Sequence, residues 1–320
     1  YMTGLRMINK DFENLFGHKT RDSTKDKIEQ FHMDIASSIQ KVTEEILIKI
    51  VKNIRQEYKI DNLCLAGGVA LNCVANGKIL KEKIFNNIWI QPAAGDAGGS
   101  LGAALAYWNL EEAKEKKTIA KKKNDNMHGS FLGPEFSDKD IQKRLNEAGA
   151  IFNKFNYDEL IDKTAKLISE GNVIGWFQGR MEFGPRALGG RSILADPRSF
   201  EMQKNLNLKI KFRESFRPFA PAILEEDLSD WFDTKEPSPY MLQVSQIKDN
   251  LKTNIEEDSS TFGIDKLRLK RSKIPAITHV DFSARIQTVN KHTNIRFYDL
   301  IKKFKAITGC PILINTSFNV

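Results

Sequence analysis

The sequence contains few cysteines, and none of them stands in a closely spaced pair. Cys64, Cys73 and Cys310 are scattered over 320 residues with no C-x-x-C spacing. A disulfide framework or a zinc knuckle needs cysteines at close, regular spacing, so the sequence predicts neither. We expect a reducing, cytoplasmic location.

Long apolar runs are also lacking. No stretch reaches the roughly 18 to 20 apolar residues of a membrane-spanning helix, and the N-terminal residues lack the regions of a signal peptide. We therefore expect no membrane partner. The chain starts at Tyr1 and stops at Val320, just after a predicted strand at 311–315, and we expect it to be a fragment of a longer protein.

Several common catalytic signatures are missing as well. The sequence has no G-x-x-x-x-G-K-[ST] loop and no strict dinucleotide-binding pattern. Its five histidines, at 18, 32, 128, 279 and 292, show no H-x-x-x-H spacing, so this chain alone encodes no complete histidine-based metal site. These absences disfavour a P-loop ATPase and a Rossmann dehydrogenase.

Positive charge, by contrast, is concentrated in one segment. The net charge is +8, and residues 180–217 hold six Arg and three Lys against four acidic residues, interleaved with glycine, proline and apolar residues. Guanidinium groups bind phosphate oxygens in bidentate fashion, so the segment predicts an anion site. The alternating cations of 209–217 would share one face of an extended strand. A surface network of ion pairs is the alternative interpretation.

Hydrophobic periodicity divides the first part of the chain into alternating helices and strands. It predicts a long helix from Thr24 to Tyr58 that Ser23 or Thr24 caps, strands at 62–66 and 88–90, and helices at 69–81 and 99–110. This order favours parallel strands with helices packed on them. A lysine-rich polar run at 114–123 predicts a solvated linker, which we place at 119–128.

The second part of the chain mixes the same two kinds of element. Helices are predicted at 137–147, 157–170 and 294–308, strands at 172–177, 278–282 and 311–315, an extended segment at 217–224 and a polar surface loop at 248–273. The fold class is therefore α/β.

Two glycine-rich turns follow the first two predicted strands. Gly67 and Gly68 would let a phosphate approach the backbone, and Asn72 and Asn76, four residues apart, would share one helical face. Asp96, in the second turn, could ligate a metal or cap the next helix. Together the turns could clamp a nucleotide, whereas tight turns with satisfied polar residues are the alternative.

Two further strings of polar residues lie at the ends of predicted strands. They run from His279 to Gln287 and from Asn315 to Asn319. Hydroxyls and amides at such positions suit the orientation of a small polar substrate, although turns are rich in the same residues.

In this order, these segments resemble the O-carbamoyltransferases of nodulation-factor and antibiotic biosynthesis. The string F-G-P-R-A-L-G-G-R-S-I-L-A-D-P-R, residues 183–198, is long enough to be highly specific. The resemblance implies that residues 1–118 are the second half of an actin- and sugar-kinase-like carbamoyl-transfer domain. It implies that residues 129–320 are most of a YrdC-like domain, which makes carbamoyl-adenylate from carbamoyl phosphate and ATP.

The resemblance also implies the site residues. At the transfer site, nucleotide would contact Gly67, Gly68, Asn72 and Asn76, and Asp96 would ligate a metal, which in the complete protein is Fe²⁺ held by two histidines and carboxylates. The pocket for carbamoyl phosphate and ATP, with Mg²⁺, would be lined by Arg186, Arg191, Lys211, Arg213, Arg217 and Arg285, together with Asn315, Ser317 and Asn319.

We therefore expect an ATP-dependent O-carbamoyltransferase that acts on a hydroxyl of a sugar or secondary metabolite. One alternative is a tRNA-modifying enzyme of the threonylcarbamoyl type, whose RNA affinity would fall steeply with salt. The other is a non-catalytic nucleotide-binding subunit. A small-molecule acceptor is the expected partner, nucleic acid is not expected, and a homodimer stays open.

Overall fold

A computed structural model of the protein describes residues 8–22, 25–112, 125–254 and 263–319. The chain forms two compact units, Tyr1–Glu45 and Ile46–Val320. The predicted cap at Ser23 or Thr24 and most of the predicted linker lie outside the described residues.

The first unit contains a short helix, α1 (Lys10–Phe16), that the sequence did not predict. The Asn9 side chain caps it by accepting hydrogen bonds from the backbone N–H groups of Asp11 and Phe12, at 3.1 and 3.2 Å. Gly17 ends it with a φ of 67°, a left-handed conformation in which glycine carries no Cβ penalty. Helix α2 (Gln30–Tyr58) begins in this unit, later than the predicted start at Thr24 because residues 25–29 are not helical, and ends at the predicted residue.

The second unit opens with alternating strands and helices, as predicted. They are β1 (Asn62–Leu65), α3 (Cys73–Lys81), β2 (Asn87–Ile90) and α4 (Ala97–Ala106). Strands β1 and β2 pair in parallel, which confirms the predicted pairing. Helix α3 begins later than predicted, because Gly68–Leu71 form a 3-10 turn and Asn72 Oδ1 caps the helix at the Ala75 N–H, 3.1 Å away.

The rest of this unit is built on one mixed sheet, so the α/β class is confirmed. Its elements are α5 (Asp138–Glu147), α6 (Tyr157–Ser169), β3 (Ile174–Phe177), β4 (Arg191–Ala195), α7 (Met202–Lys209), β5 (Ala220–Leu224), α8 (Leu228–Trp231), β6 (Gln243–Gln246), β7 (Ser283–Val289), α9 (Ile295–Thr308) and β8 (Ile312–Thr316). The strand order is β3-β4-β8-β5-β7-β6, with β5 and β7 parallel and the other neighbours antiparallel.

The main core lies between this sheet and helices α6 and α9. All five residues of β5 are buried, and Phe297 and Phe304 of α9 are fully buried. Apolar residues recur on α9 at steps of three and four, which places them on one face toward the sheet. This pattern explains why the sequence predicted α9 closely.

A second apolar cluster joins the early strands to the mixed sheet. Trp89 of β2 meets Tyr240 in an edge-to-face contact with ring centroids 6.0 Å apart. Helix α3 packs closely on β6, since a Cβ on Gly77 would lie 2.9 Å from the Val244 side chain. Residues from 62–106 therefore lie against the part of the sheet that carries the arginines.

Two predicted strands are wrong. Residues 278–282 form a turn, in which the Phe282 N–H donates to the His279 carbonyl at 3.0 Å. The Asp281 carboxylate accepts from the Ser283 N–H at 3.1 Å, a local bond that favours a turn, so the strand begins at Ser283. Residues 209–217 end α7 and continue as a folded loop, because the Arg213 N–H donates to the Asn207 carbonyl at 3.1 Å.

Within the described part of the chain, no helix is both long enough and apolar enough to cross a bilayer.

Candidate functional site

A cavity of about 660 Å³ lies where β8, β7 and the loop after α7 meet the first turn of α3. We call it the arginine cavity, because its walls include Arg186, Lys211, Arg213, Arg217 and Arg285. Asn315, Ser317 and Asn319 line it too, so it gathers eight residues of the predicted pocket. Among the described residues that form its walls there is no aspartate or glutamate.

The loop that carries Arg186 is held by the buried carboxylate of Glu182. Its Oε1 accepts hydrogen bonds from the backbone N–H groups of Leu188, Gly190 and Arg191 at 2.8, 2.7 and 3.1 Å. A Cβ on Gly190 would lie 2.8 Å from the Arg180 carbonyl oxygen, so this tight path requires glycine. Arg186 then donates from Nη2 to the Leu71 carbonyl at 3.1 Å.

The loop that carries Lys211, Arg213 and Arg217 is organised by Asn207, which is fully buried on α7. Asn207 Nδ2 donates to the carbonyls of Ser215 and Arg217 at 3.1 and 2.8 Å, and its Oδ1 accepts from Arg213 Nε at 2.7 Å. One amide therefore sets the path of the loop and the direction of one guanidinium group.

Lys211 ties this loop to the end of β8. Its ammonium group donates to the Ser317 carbonyl at 2.8 Å and to the Asn319 carbonyl. Only 4% of Lys211 is exposed. Burial, and next the charge of Arg213, lower the pKa of Lys211, because both disfavour the charged ammonium.

The cations of the cavity raise each other's electrostatic free energy. Burial lowers the pKa of Arg285, and the charges of Arg186 and Arg213 lower it further, although the Cys73 thiol accepts a hydrogen bond from it. Burial also lowers the pKa values of Arg186 and Arg213. Because no described carboxylate lines the cavity, a bound anion would relieve this repulsion. This arrangement of charges favours the binding of an anion.

His279 adds a neutral imidazole to the same wall. Burial lowers its pKa, the Asp281 carboxylate opposes this, and the Arg285 charge lowers it further. The imidazole is therefore neutral near pH 7 and offers both a donor and an acceptor.

Arg191 is not among the residues that line the cavity. Its guanidinium group donates to the carbonyls of Gln178, Gly190 and Gly179 at 2.8, 2.8 and 3.0 Å. It also lies 3.5 Å from the ring centroid of Phe177, its cross-strand partner on β3. These contacts give Arg191 the role of joining backbone segments.

The residues predicted at the transfer site lie outside the arginine cavity, on the turn after β1 and on α3. Gly67 and Gly68 are exposed at the end of β1, and a Cβ on either would have open space around it. Asn72 caps α3. Asn76 is 2% exposed and donates to the carbonyls of Ala70 and Leu242 at 2.8 and 2.9 Å. The Asn76 amide therefore links α3 to the segment before β6.

Asp96 is exposed before α4 and makes no capping hydrogen bond to that helix with its side chain. The described residues contain no group of three or more His, Cys, Asp or Glu that could hold a metal ion. They therefore do not supply the ligand set of the implied iron site, and Asp96 as a metal ligand stays a prediction.

Sequence reasoning missed three contributors to the cavity. Cys73 lines it from the first turn of α3, whereas Asn207 and Glu182 hold its loops from behind. For Asn207 and Glu182, the sequence signal was a single amide or carboxylate close to an arginine-rich string. Their buried positions come from the packing of the sheet, which the local pattern does not reveal.

Two parts of the chain match families of known proteins. The family described as carbamoyltransferase N-terminus matches residues 1–105, and the family described as carbamoyltransferase C-terminus matches residues 165–320. The uncharacterized protein sll1178 of Synechocystis is 52% identical over all of this chain and 52% of its own length.

Two named relatives are nodulation proteins. NolO of Bradyrhizobium diazoefficiens is 40% identical over 91% of this chain and 49% of its own length. NolNO of Sinorhizobium fredii is 39% identical over 91% of this chain and 39% of its own length. The chain thus spans about half the length, or less, of the curated relatives that it matches.

Proposed function

This chain belongs to the carbamoyltransferase family, and from that premise we propose that its arginine cavity binds carbamoyl phosphate and ATP. The observation that carries the proposal is the convergence of Arg186, Lys211, Arg213, Arg217 and Arg285 on one space whose described walls hold no carboxylate. A cavity of about 660 Å³ is within the usual range of small-molecule sites.

The reaction that we propose is the formation of carbamoyl-adenylate. Water cleaves carbamoyl phosphate to carbamate and inorganic phosphate. A carbamate oxygen then attacks the α-phosphorus of ATP, the bond to the β-phosphate breaks, and pyrophosphate leaves. Phosphoryl chemistry of this kind depends on positioning and charge stabilisation more than on a nucleophilic side chain, and the cations of the cavity supply both.

Hydrogen bonds and exposure support different roles for several groups of the cavity. Arg213 and Lys211 are each held by hydrogen bonds to neighbouring residues, so their charges are in place before the phosphates bind. Arg217 is more exposed and paired with Glu214 at 2.9 Å, which suits a group that engages the outer phosphates. Since no described carboxylate lines the cavity, Mg²⁺ would arrive bound to the phosphates of ATP.

The finer architecture forms part of the same proposal. Residues 129–320 would be a YrdC-like domain that makes the adenylate, and residues 1–118 part of an actin- and sugar-kinase-like domain that transfers the carbamoyl group. The acceptor would be a hydroxyl of a small molecule, which yields a carbamate ester and AMP. The early turns with Gly67 and Gly68 lie open at the end of β1, which is compatible with nucleotide contact there.

The test is pyrophosphate release by the 320-residue chain with ATP, Mg²⁺ and carbamoyl phosphate. Arg186→Ala and Arg213→Ala should each lower the rate about 30- to 1000-fold, because one bidentate charge-assisted contact contributes roughly 2 to 4 kcal/mol in the transition state. Arg180→Ala is the matched control, because Arg180 is an exposed arginine outside the arginine cavity and should leave the rate unchanged.

Two results would contradict the proposal. Equal rates in wild type, Arg186→Ala and Arg213→Ala would show that the cavity does not perform the reaction. Binding of ATP without any pyrophosphate release that depends on carbamoyl phosphate would favour the non-catalytic nucleotide-binding subunit.

A further inference from the structure

His279 is a neutral base in the wall of the arginine cavity. The other titratable side chains of the described wall are five cations and one thiol: Arg186, Lys211, Arg213, Arg217, Arg285 and Cys73. Guanidinium groups stay protonated, Lys211 is an ammonium group bonded to backbone carbonyls, and a thiol must lose its own proton before it can accept one. Among these wall residues, His279 is therefore the group that is suited to accept a proton near pH 7.

The backbone of His279 is held while its ring nitrogens remain open. The His279 N–H donates to the Ser283 carbonyl at 2.9 Å, and the His279 carbonyl accepts from the Phe282 N–H at 3.0 Å. His279 is half-buried. Within the part of the chain that the structure describes, no hydrogen bond engages either ring nitrogen, and neither nitrogen is among the fully buried polar atoms. The turn therefore presents an accessible, unengaged imidazole at the cavity wall.

The surroundings of the imidazole favour its neutral form. Burial lowers the pKa of His279 from 6.5, Asp281 on the same turn opposes this, and Arg285 on β7 lowers it further. The other ionisable groups that face the same cavity are Cys73 on α3, Arg186 in the loop before β4, and Lys211, Arg213 and Arg217 at the end of α7 and in the loop after it. These cations disfavour an imidazolium, so the ring keeps its acceptor nitrogen at pH 7.

We propose that His279 is the general base for the step in which water cleaves carbamoyl phosphate. Its imidazole takes a proton from the water as the water oxygen attacks the carbonyl carbon. The bond from that carbon to the phosphate oxygen breaks, and the imidazolium returns the proton to the departing phosphate. The carbamic acid that forms loses its acidic proton to solvent and becomes carbamate. This inference rests on the proposed function and adds a catalytic residue to it.

A neutral base among cations suits this step for an electrostatic reason. Negative charge develops on the carbonyl oxygen and on the departing phosphate, and fixed positive charges stabilise both. The same positive charges keep the imidazole unprotonated, so that it can accept the proton of the water. A carboxylate in this position would instead pair with the arginines and compete with the phosphate for them.

The experiment supplies the 320-residue chain, ATP and Mg²⁺ with one of two substrates and follows pyrophosphate. With carbamoyl phosphate, His279→Ala should lower the rate about 10²- to 10⁴-fold, and added imidazole should restore at least about a tenth of the loss on a logarithmic scale. With carbamate, present in solutions of ammonium bicarbonate, the base is not needed, and His279→Ala should match wild type within about threefold.

Two further variants serve as controls. His292→Gln should keep the wild-type rate with both substrates, because His292 is exposed and outside the arginine cavity. Arg213→Ala should lower both rates, and imidazole should restore neither, because Arg213 stabilises charge and takes no proton. His279→Gln repeats the comparison if His279→Ala does not fold.

The outcomes separate this inference from the function beneath it. If wild type releases no pyrophosphate with either substrate, the proposed function fails and the role of His279 fails with it. If wild type uses carbamoyl phosphate but not carbamate, free carbamate is not the intermediate, and the base step is refuted. If wild type uses both, the proposed function stands. The base role is then refuted where the folded His279 variant keeps its rate with carbamoyl phosphate or loses both rates equally.

Discussion

Arg186 and Leu71 are joined by a hydrogen bond of 3.1 Å from the guanidinium Nη2 to the backbone carbonyl. Leu71 lies in the 3-10 turn before α3, whereas Arg186 lies in the loop before β4. The bond fixes one edge of the guanidinium group and directs the rest of it at the cavity. Two distant parts of the chain thus build one wall of the site.

Replacement of Arg186 by lysine should show whether ligand binding depends on the positive charge at this position or on the planar guanidinium group. A lysine ammonium keeps the positive charge but cannot donate both to Leu71 and to a ligand through a planar fork. We expect Arg186→Lys to weaken carbamoyl phosphate binding about 10- to 100-fold, measured by calorimetry. Arg180→Lys is the control and should bind as wild type does. Full affinity in Arg186→Lys would mean that charge alone suffices.

Asn207 should be a positioning residue for the loop that carries Arg213 and Arg217. Asn207→Leu keeps the size of the side chain but leaves two carbonyls and Arg213 Nε without their partner. We expect a loss of about 2 to 4 kcal/mol in the free energy of unfolding by urea.

The same Asn207→Leu variant should bind carbamoyl phosphate more weakly, because Arg213 loses its orientation. Asn205→Leu is the matched control on the same helix, where Asn205 is exposed. It should change stability by less than about 0.5 kcal/mol. Equal stability of the two variants would contradict the role of Asn207.

The three cysteines should differ sharply in their reaction with maleimide. Cys64 is exposed, Cys73 is half-buried at the cavity and Cys310 is buried. Burial raises the pKa of Cys310 to about 12, and thiolate is the reactive form. Peptide mass spectrometry should show rapid labelling of Cys64, labelling of Cys73 that carbamoyl phosphate suppresses, and labelling of Cys310 only after unfolding. Unprotected Cys73 at saturating ligand would place the ligand elsewhere.

His279 should make stability depend on pH. Burial lowers its pKa in the folded state below the ordinary 6.5, with Arg285 adding to the shift and Asp281 opposing it. As pH falls below about 6.5, the unfolded chain therefore takes up a proton that the folded chain does not. The free energy of unfolding should decrease through this range, down to the lowered pKa.

His279→Gln removes this titration. The decrease in unfolding free energy between about pH 7.5 and about pH 5.5, measured by urea unfolding, should be smaller in the variant than in wild type. An equal decrease in both proteins would show that other groups cause it.

Helices and motifs with a strong local signal were predicted well. Helices α5, α6 and α9 carry apolar residues at steps of three and four, and the structure confirms them within a residue or two. The parallel pair β1 and β2 followed from their alternation with helices. The prediction failed at 278–282, where the Asp281 carboxylate accepts a hydrogen bond from the Ser283 N–H and the backbone turns.

The sequence shows the arginine-rich strings, but it does not show which of their arginines line the cavity. Arg186 and Arg191 lie five residues apart in one motif, yet Arg186 lines the cavity whereas Arg191 donates to backbone carbonyls beside Phe177. Strand β4 begins at Arg191, so the pairing of β4 with β3 decides which way that side chain points. The motif alone does not contain this register.

By itself, the sequence determined the kinds of element, the concentration of positive charge and the family, because periodicity, charge and motif strings are local properties of the chain. The tertiary structure alone decided that Cys73, Arg186 and Arg285 meet at one cavity, and that Asn315 Oδ1 is left without a partner in its wall. Those facts depend on which strands become neighbours and on which backbone carbonyls are already engaged, and only the folded chain brings these groups together.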